Sequence, residues 1–262
     1  MQSTHRAAKL AAANVGVPAP GSSPAVAKQG SERRARKHAL ARERILRASA
    51  ELFFENGYAG TTVDAIARKL DMTKTFMYYY FKDKAEIYST LCLDTARATL
   101  SSFDFAQREN MGTLDVLRKG LHRLAMTNME HFQASSLYYR ELQALAGDVR
   151  ALILRRARSF YRRLYKLIDK GQQEGVLQPV NSRLAALSIA GVIGFMYRWY
   201  DPNGKFTRER MADELTEVML RIAGAPPASG AAPAPSAGPG HEAATVQPAK
   251  SVRKSRAARE PS

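Results

Sequence analysis

The spacing of the apolar residues is the feature of this sequence that most restricts its fold. Between about residue 36 and residue 223, apolar side chains recur every three or four positions, and no stretch alternates with a period of two for long enough to predict a strand. Glycines and prolines separate most of the periodic stretches. The sequence therefore predicts an all-α fold of about nine helices.

The two ends of the chain differ in composition from this helical region. Residues 11–30 and 224–248 are rich in Ala, Gly, Pro and Ser, and such segments bury too little apolar surface to offset the entropy lost on ordering. The expected divisions are disordered basic tails at 1–35 and 224–262, a first helical domain at 36–84 and a second helical domain at 85–223.

The charge of the chain indicates what it binds. The formal net charge is +16, and seven Arg and Lys residues stand against two acids between Ser31 and Ala50. Positive charge concentrated in this way favours a polyanionic partner, with nucleic acid ahead of a membrane surface. An ordinary domain with two basic tails is the alternative. The longest uncharged apolar run, Leu184 to Tyr197, has 14 residues, and about 20 are needed to span a bilayer. We therefore expect a buried helix there and no membrane partner.

Several classes of protein are disfavoured by what the sequence lacks. Cys92 is the only cysteine, which excludes an intrachain disulfide and a cysteine-based zinc site and suits a reducing compartment. The first thirty residues contain no continuous apolar stretch, so we expect no secretory signal and a cytoplasmic, nucleoid-associated location. The sequence contains no G-x-S-x-G or H-E-x-x-H motif, no P-loop and no glycine-rich dinucleotide-binding motif. His122 and His131 have no partner at metal-ligand spacing. We therefore predict no enzyme, no cofactor and no metal site.

Three short-range patterns open the folded region. A first helix is predicted from Arg36 to Asn56, where Gly57 suits a left-handed terminating residue. A second helix is predicted after Thr61, which together with Asp64 three residues later forms a capping pattern. Its apolar positions at i, i+3, i+4 and i+7 are Val63, Ile66, Ala67 and Leu70. This second helix is short, and a tight turn follows it.

The third helix has an unusual outward face. Asp71 and Met72 form the turn, Thr73 is the expected N-cap, and Met77 and Phe81 point inward at i, i+4. The residues left facing outward are Lys74, Thr75, Tyr78 and Tyr79. Such side chains can donate to phosphates and base edges and can contact thymine methyl groups. Two short helices joined by a tight turn and packed on a longer one present one helix to the DNA major groove. The alternative is that one of Tyr78, Tyr79 and Tyr80 is a core aromatic. It cannot hold for all three, because consecutive helical residues point about 100° apart.

The stretch ILRASAELFFENGYAGTTVDAIARKLDMTKTFMYYYFKDKAEIY, from Ile45 to Tyr88, resembles the DNA-binding domain of the TetR family of one-component bacterial regulators. The resemblance covers about fifty residues and includes Gly57-Tyr58, Thr61-Thr62-Val63, Ile66-Ala67, and Tyr78 to Phe81 followed by Lys82-x-Lys84. It implies an N-terminal three-helix helix-turn-helix domain followed by a helical ligand-binding and dimerisation domain.

The resemblance also implies roles for individual residues. Phosphate contacts would come from Thr62, Tyr79 and Lys84, and base contacts from Thr75 and Tyr78, with Thr73 and Lys74 at the front of the recognition helix. A basic N-terminal arm would consist of Arg33, Arg34, Arg36 and Lys37. The sequence departs from the family at three positions. Asp71 stands where glycine is usual, and Phe76 stands where a small hydroxyl residue is frequent. Asp64 stands where some members have a basic residue, and for it we favour a capping role.

A helix pair near the C-terminal end is predicted to form a dimer. The stretch 181–200 carries small residues that permit close helix approach, and 207–223 adds an apolar face; two such pairs related by a two-fold axis would form a four-helix interface. The predicted interface residues are Leu184, Leu187, Gly191, Gly194, Leu215, Val218 and Met219. The alternative is that both helices serve only the core of one protomer.

The second domain is also expected to bind a small molecule. Met, aromatic and Arg residues accumulate in it, as a pocket for a bulky apolar ligand requires, although most of them are expected to be plain core. Asn181 to Gly224, with Tyr138 to Leu142, is similar to the C-terminal domain of a TetR subgroup that regulates steroid and fatty-acid catabolism in response to acyl-CoA thioesters. That similarity implies a hydrophobic effector such as an acyl-CoA. The candidate effector residues are Tyr138, Arg140, Phe195, Arg198 and Trp199.

These expectations combine into one hypothesis about function. The chain would be a homodimeric repressor, released from a palindromic double-stranded DNA operator when the effector favours a second state of the dimer. A regulator that activates transcription, or that answers to no small ligand, is one alternative. A nucleoid-type protein that binds any DNA through its basic tails is another.

Overall fold

The computed structural model describes residues 24–107 and 110–227. These residues form nine α-helices and three short 3-10 helices, and no part of them is a β-strand. The predicted all-α class is confirmed. Most of the two predicted tails, residues 1–23 and 228–262, lies outside the described residues.

The chain is divided into two compact units. Of the described residues, the first unit comprises residues 24–94 together with Arg140–Arg150, and the second comprises residues 95–107, 110–139 and 151–227. The division predicted at residue 84 therefore differs from the structure in two respects. The fourth helix begins at Lys84 and the boundary between the units falls inside it, after Asp94, and a segment far along the chain returns to the first unit.

The first unit is built on four helices: α1 (Pro24–Gly60), α2 (Val63–Lys69), α3 (Lys74–Tyr80) and the first part of α4 (Lys84–Leu100). Its core consists of large side chains that are almost completely buried, namely Ile45, Phe53, Ile66, Met77, Ile87 and Tyr88. Complete burial of such a side chain contributes roughly 1.5–3 kcal/mol. The two short helices depend on this packing, because helices of seven residues are not stable by themselves.

Helix α1 begins earlier than the sequence predicts. It starts at Pro24 rather than Arg36, so the last part of the predicted disordered tail 1–35 is helical. The physical reason is the run of good helix formers after Gly30, in which neither glycine nor proline occurs before Gly57. Gly57 has φ 74° and ψ 165°, a non-helical conformation that kinks α1 and separates its last turn from the rest, so the long helix ends where the sequence predicts.

The N-cap of α2 lies one residue beyond the predicted position. Thr62 adopts an extended conformation and its hydroxyl accepts a hydrogen bond from the backbone N–H of Ala65 at 3.1 Å. Thr61 is buried instead, with its hydroxyl 2.9 Å from the carbonyl oxygen of Gly57. The predicted Thr61–Asp64 capping pattern is therefore wrong, and Asp64 lies in the first turn of a helix that Thr62 caps.

The turn between α2 and α3 follows the prediction. Asp71 has φ 55°, in the left-handed region that aspartate tolerates better than most residues. Thr73 caps α3 by accepting a hydrogen bond from the backbone N–H of Phe76 at 3.2 Å. The sequence departure at Asp71 is thus accommodated without loss of the turn.

The second unit contains the rest of α4 and four long helices together with α6. The helices are α5 (Thr113–Glu130), α6 (Phe132–Arg140), α7 (Gly147–Gln173), α8 (Ser182–Gly194) and α9 (Arg208–Ile222), with 3-10 turns at Asp104–Gln107 and Met196–Arg198. The last residue of α6, the 3-10 turn at Leu142–Ala144 and residues 147–150 of α7 belong to the first unit. Helix α9 packs along α5, and the shared core includes Leu117, Leu121, Ile168, Ile189, Met196 and Met219.

The long apolar run predicted to be a buried helix is buried on one face only. It forms most of α8 and the 3-10 turn that follows. Ala185 and Ile189 belong to the core of the second unit, whereas Leu184 and Leu187 are exposed. Among the helices of the described ranges, none combines the length and apolar character that crossing a membrane requires.

Candidate nucleic-acid interface

The exposed face of α3 is the centre of the candidate interface. Met77 and Phe81 are buried and anchor this helix in the first unit. The side chains they leave outside are the predicted set, Lys74, Thr75, Tyr78 and Tyr79, and in addition Phe76, which is 43% exposed. Tyr78 is 47% exposed and Tyr79 is 71% exposed, which is uncommon for rings of this size. These two rings are therefore exposed to solvent and are not part of the core.

The N-terminal part of α1 and the helix α3 together form an open groove of about 760 Å³. Its lining residues are Arg34, Lys37, His38, Thr73, Thr75, Phe76, Tyr79 and Tyr80. The α1 residues are cations or a histidine, and several of the others carry hydroxyl groups that can donate to phosphate oxygens. Of the predicted basic arm, Arg34 and Lys37 line this groove, whereas Arg33 and Arg36 are exposed but lie outside its lining.

Two residues that the sequence analysis did not select hold α1 against α3. The His38 ring lies 4.8 Å from the Tyr80 ring and 5.8 Å from the Tyr79 ring, between centroids. The Arg42 guanidinium donates to the carbonyl of Tyr80 at 2.6 Å and lies 4.0 Å from the centroid of the Phe81 ring. The signal in the sequence was the spacing of four residues from His38 to Arg42, which places both on one face of α1.

The threonines at the front of α2 and α3 combine two functions. Thr62 and Thr73 are exposed, and each accepts the capping hydrogen bond of its helix. A hydroxyl that accepts in this way retains its own O–H as a donor. Both residues can therefore cap a helix and bind a phosphate, and their phosphate and recognition-helix roles stay predictions.

Lys84 has a structural role that the sequence did not indicate. Its ammonium group donates to the carbonyl of Tyr58 at 2.7 Å and to that of Thr61 at 2.9 Å. It also lies 4.3 Å from the centroid of the Tyr58 ring. Two of its three N–H donors are thus used to join α4 to the end of α1, and only the third remains for the predicted phosphate contact.

Replacement of Lys84 by methionine is expected to lower the free energy of unfolding by about 2–4 kcal/mol, because hydrogen bonds from a charged group are worth about 1.5–3 kcal/mol each. Urea denaturation followed by circular dichroism measures the change. The matched control is Lys82→Met, because the Lys82 side chain is exposed and such surface changes stay within about 0.5 kcal/mol. Equal stability of the two variants would contradict the structural role of Lys84.

Lys74 is paired with an acid across the two short helices. Its ammonium group lies 2.8 Å from the carboxylate of Asp64, and both side chains are about half exposed. The hydrogen bond to Asp64, followed by the negative charge of that carboxylate, raises the pKa of Lys74 above its usual value. Lys74 is therefore a cation at any physiological pH.

The predicted effector residues are not gathered in the interior of the second unit. Arg140 belongs to the first unit, where its guanidinium lies 3.4 Å from the carbonyl oxygen of Phe54 and 5.9 Å from the Phe54 ring. Phe195, Arg198 and Trp199 are exposed. Tyr138 is half-buried. Arg140 is separated from the other candidates because the chain leaves the second unit at the end of α6. Its effector role stays a prediction.

The predicted dimer residues fall into two groups. Leu184, Leu187 and Gly191 are exposed on one face of α8, and Val218 is exposed on α9. The other three are corrected, because Leu215 and Met219 are buried in the core of their own unit and Gly194 packs against the Tyr139 ring, where an added Cβ would lie 3.2 Å from the tyrosine hydroxyl. Helical geometry gives the reason: positions 215 and 219 share the inward face of α9, and position 218 lies on another face.

Helix α3 is short and exposed, is capped by Thr73 and is anchored by two buried side chains. A basic helix flanks it. This arrangement is typical of DNA-binding proteins of the helix-turn-helix class. Residues 45–91 match the family model described as "Bacterial regulatory proteins, tetR family". Residues 111–223 match the model described as "Tetracyclin repressor-like, C-terminal domain". The chain belongs to the TetR family of bacterial transcriptional regulators.

Curated relatives are transcriptional regulators by name. The uncharacterized HTH-type transcriptional regulator YhgD of Bacillus subtilis is 20% identical over 169 residues, which are 64% of this chain and 88% of that protein. The HTH-type transcriptional regulator RutR of Escherichia coli K12 is 29% identical over 132 residues, which are 46% of this chain and 60% of RutR. The second match leaves a large part of each protein outside the comparison.

Solved structures share the fold. PfmR, a TetR-family regulator from Thermus thermophilus, has a TM-score of 0.62 at 24% identity and covers 68% of this chain and 97% of its own. AibR, in complex with isovaleryl coenzyme A and operator DNA, has a TM-score of 0.58 at 22% identity, with coverage of 68% and 96%. The ketosteroid transcriptional regulator KstR2 of Mycobacterium tuberculosis has a TM-score of 0.60 at 22% identity, with coverage of 69% and 93%.

Proposed function

We propose that this TetR-family regulator is a homodimeric repressor that leaves its operator when a hydrophobic acyl-CoA binds. The observation that carries the DNA-binding part is the exposed face of α3, where Lys74, Thr75, Tyr78 and Tyr79 stand outside a buried anchor. Lysine and threonine donate to base edges and phosphates, and the tyrosine rings suit thymine methyl groups. The groove lined by Arg34 and Lys37 would receive the sugar-phosphate backbone beside this helix.

The dimer part of the proposal is supported by an apolar stripe on the second unit. Leu184 and Leu187 on α8 are 62% and 59% exposed, Phe195 directly after α8 is 58% exposed, and Val218 on α9 is 45% exposed. Positions 184, 187 and 191 recur at helical spacing on one face of α8 and position 195 continues that spacing, with Gly191 permitting close approach. A contiguous exposed apolar surface of this kind indicates a partner. A second copy of the chain would cover this surface in a self-complementary two-fold contact. Phe195 then belongs to the dimer interface rather than to an effector site.

The effector part is supported by composition and by relatives of the same fold. The second unit carries a row of aromatic contacts, with the Tyr138 and Tyr139 centroids 5.1 Å apart and the Tyr139 and Tyr197 rings stacked at 6.1 Å. Such rings suit an apolar acyl chain, and the exposed Arg198 can pair with a carboxylate or phosphate. AibR has been crystallised with isovaleryl coenzyme A, and KstR2 is named as a ketosteroid regulator.

The connection between the two units supports a response to the effector. The chain passes between them after Asp94, after Tyr139 and after Arg150. The second of these passages leads to Arg140 and then Glu141, whose backbone carbonyl accepts a hydrogen bond from the Tyr88 hydroxyl at 3.0 Å within the first unit. We propose that a shift of α6 on effector binding reaches this contact along the chain. By linkage, the effector weakens DNA binding as far as it prefers the shifted state.

Selection of bound sequences from random DNA tests the proposal. We expect one palindromic site whose half-sites are about 10 base pairs apart, centre to centre, or a multiple of that spacing. Titration with isovaleryl-CoA and with a long-chain acyl-CoA is then expected to lower operator affinity at least about tenfold, whereas coenzyme A alone does not. If no sequence is enriched, the proposal of a sequence-specific operator is overturned and non-specific DNA binding is favoured. If a site is selected but no acyl-CoA lowers the affinity for it, only the proposal of an acyl-CoA effector is overturned.

A further inference from the structure

An acidic side chain lies on the candidate DNA-binding surface. Asp64 is about half exposed in the first turn of α2, and its carboxylate oxygen lies 2.8 Å from the ammonium nitrogen of Lys74 at the start of α3. Thr62 provides the cap of α2, so Asp64 is not needed as a capping residue. The two partners are ten residues apart and belong to different helices. The pair therefore ties the front of the recognition helix to the preceding helix.

The stability of the fold gives little reason for this pair. Both side chains are half exposed, and ion pairs in that environment add little to stability because water and salt screen them. A carboxylate at this position also repels the phosphates of any DNA that approaches α3. An acid that weakens attraction to every DNA sequence is expected to serve recognition of a particular one.

The pair constrains what Lys74 can bind. An ammonium group has three N–H donors, and the one given to Asp64 leaves two for acceptors such as O6 and N7 of guanine. A lysine tethered at 2.8 Å is less able to turn toward a phosphate, where it would bind all sequences alike. The carboxylate itself can accept only from a donor, such as the N4 amino group of cytosine. Both effects favour contacts with the base edges of the correct sequence over contacts with the phosphate backbone of any sequence.

We propose that Asp64 is a specificity-determining residue of the DNA-binding surface and acts by positioning Lys74 at the base edges and away from phosphates. This inference rests on the proposed function, because it presumes an operator. It assigns to Asp64 a role in discrimination between sequences rather than in affinity. Glu43 offers a matched comparison, since it forms an exposed pair with Arg47 at 3.1 Å on α1.

The experiment measures the affinity of wild type, Asp64→Asn, Asp64→Glu and Glu43→Gln for the selected operator and for a random duplex over a range of salt concentrations. Asp64→Asn is expected to bind the random duplex more tightly, with a salt slope steeper by about one, because Lys74 can then neutralise a phosphate. The ratio of specific to non-specific affinity is expected to fall at least about tenfold. Asp64→Glu, which keeps the charge, is expected to restore most of the ratio.

Two further variants separate positioning from general charge. Glu43→Gln removes the same charge from a similar pair, so it is expected to tighten both complexes alike and leave the ratio unchanged. In a Lys74→Ala background, Asp64→Asn is expected to have no further effect on the salt slope, because its partner is gone. Thermal unfolding of each variant confirms that the comparison is made between folded proteins.

The outcomes distinguish this inference from the proposed function. If the wild type selects no sequence, the proposed function fails. If it selects an operator and Asp64→Asn keeps the ratio within twofold, the role of Asp64 is overturned and the regulator stands. An equal loss of specificity in Glu43→Gln would also overturn it, since net charge alone would then explain the change. If Asp64→Asn is unfolded at the assay temperature, retention of the wild-type ratio and salt slope by Asp64→Ala would overturn the inference and their change would support it.

Discussion

Replacement of Leu187 by arginine is expected to convert the dimer to a monomer and to lower operator affinity by about 10²–10⁴-fold. Leu187 is 59% exposed at the centre of the apolar stripe of α8. On a two-fold axis it would meet its counterpart or a close neighbour, so the substitution would bring two unpaired guanidinium groups into an apolar contact. Sedimentation velocity measures the oligomeric state, and fluorescence anisotropy with the operator measures affinity.

The size of the effect follows from linkage of two half-sites. In a dimer, binding of the second recognition helix is intramolecular, and this raises affinity by about 10²–10⁴ over a single half-site without any new contact. Arginine is chosen because it adds a positive charge, which alone would strengthen binding to DNA. A loss of affinity in Leu187→Arg therefore opposes the electrostatic effect and reports loss of the dimer.

Leu154→Arg is the matched control. Leu154 is also a half-exposed leucine, on α7, and the substitution makes the same change of volume and charge away from the stripe. We expect it to remain a dimer with operator affinity equal to or slightly above that of the wild type. A monomeric wild type, or a Leu187→Arg protein that stays dimeric at micromolar concentration, would contradict the proposed interface.

The elements that the sequence predicted well are those fixed by local chemistry. The inward spacing of Met77 and Phe81, the left-handed residues Gly57 and Asp71 and the cap at Thr73 all agree with the structure. Each depends on side chains within four positions of one another, so periodicity and turn preferences contain the necessary information. The cap of α2 was misplaced by one residue because Thr61 and Thr62 are chemically equivalent, and only tertiary burial of Thr61 decides between them.

The features that the sequence did not predict depend on distant parts of the chain. Lys84 was expected to contact phosphate, yet its donors are directed to carbonyls more than twenty residues away. Leu215 and Met219 were expected at an interface. Apolar residues of a dimer face and of a core recur at the same helical spacing, so only the packing of α9 on α5 shows that these two belong to the core. The segment around Glu141 returns to the first unit without any local signal.

Replacement of Tyr78 by alanine is expected to lower the ratio of operator to random-duplex affinity by roughly 10- to 100-fold, because one good base contact discriminates by about 1–3 kcal/mol. Tyr78 is 47% exposed on α3, so stability should change little. Competition binding against operators that carry single base changes measures the ratio. The loss should be concentrated at one base pair of each half-site, since a side chain on one turn of the recognition helix reaches one or two bases.

Tyr79→Phe is the control that separates base reading from backbone contact. The substitution keeps the ring against His38 and Tyr80 and removes only the hydroxyl group assigned to a phosphate. Because a phosphate contact carries no sequence information, operator and random duplex should weaken by the same factor. A Tyr78→Ala protein that behaves like Tyr79→Phe, with unchanged discrimination at every position, would place the base-reading surface elsewhere on α3. Lys74 and Thr75 would then be the residues to vary next, since they lie about one helical turn before Tyr78 on the same exposed face.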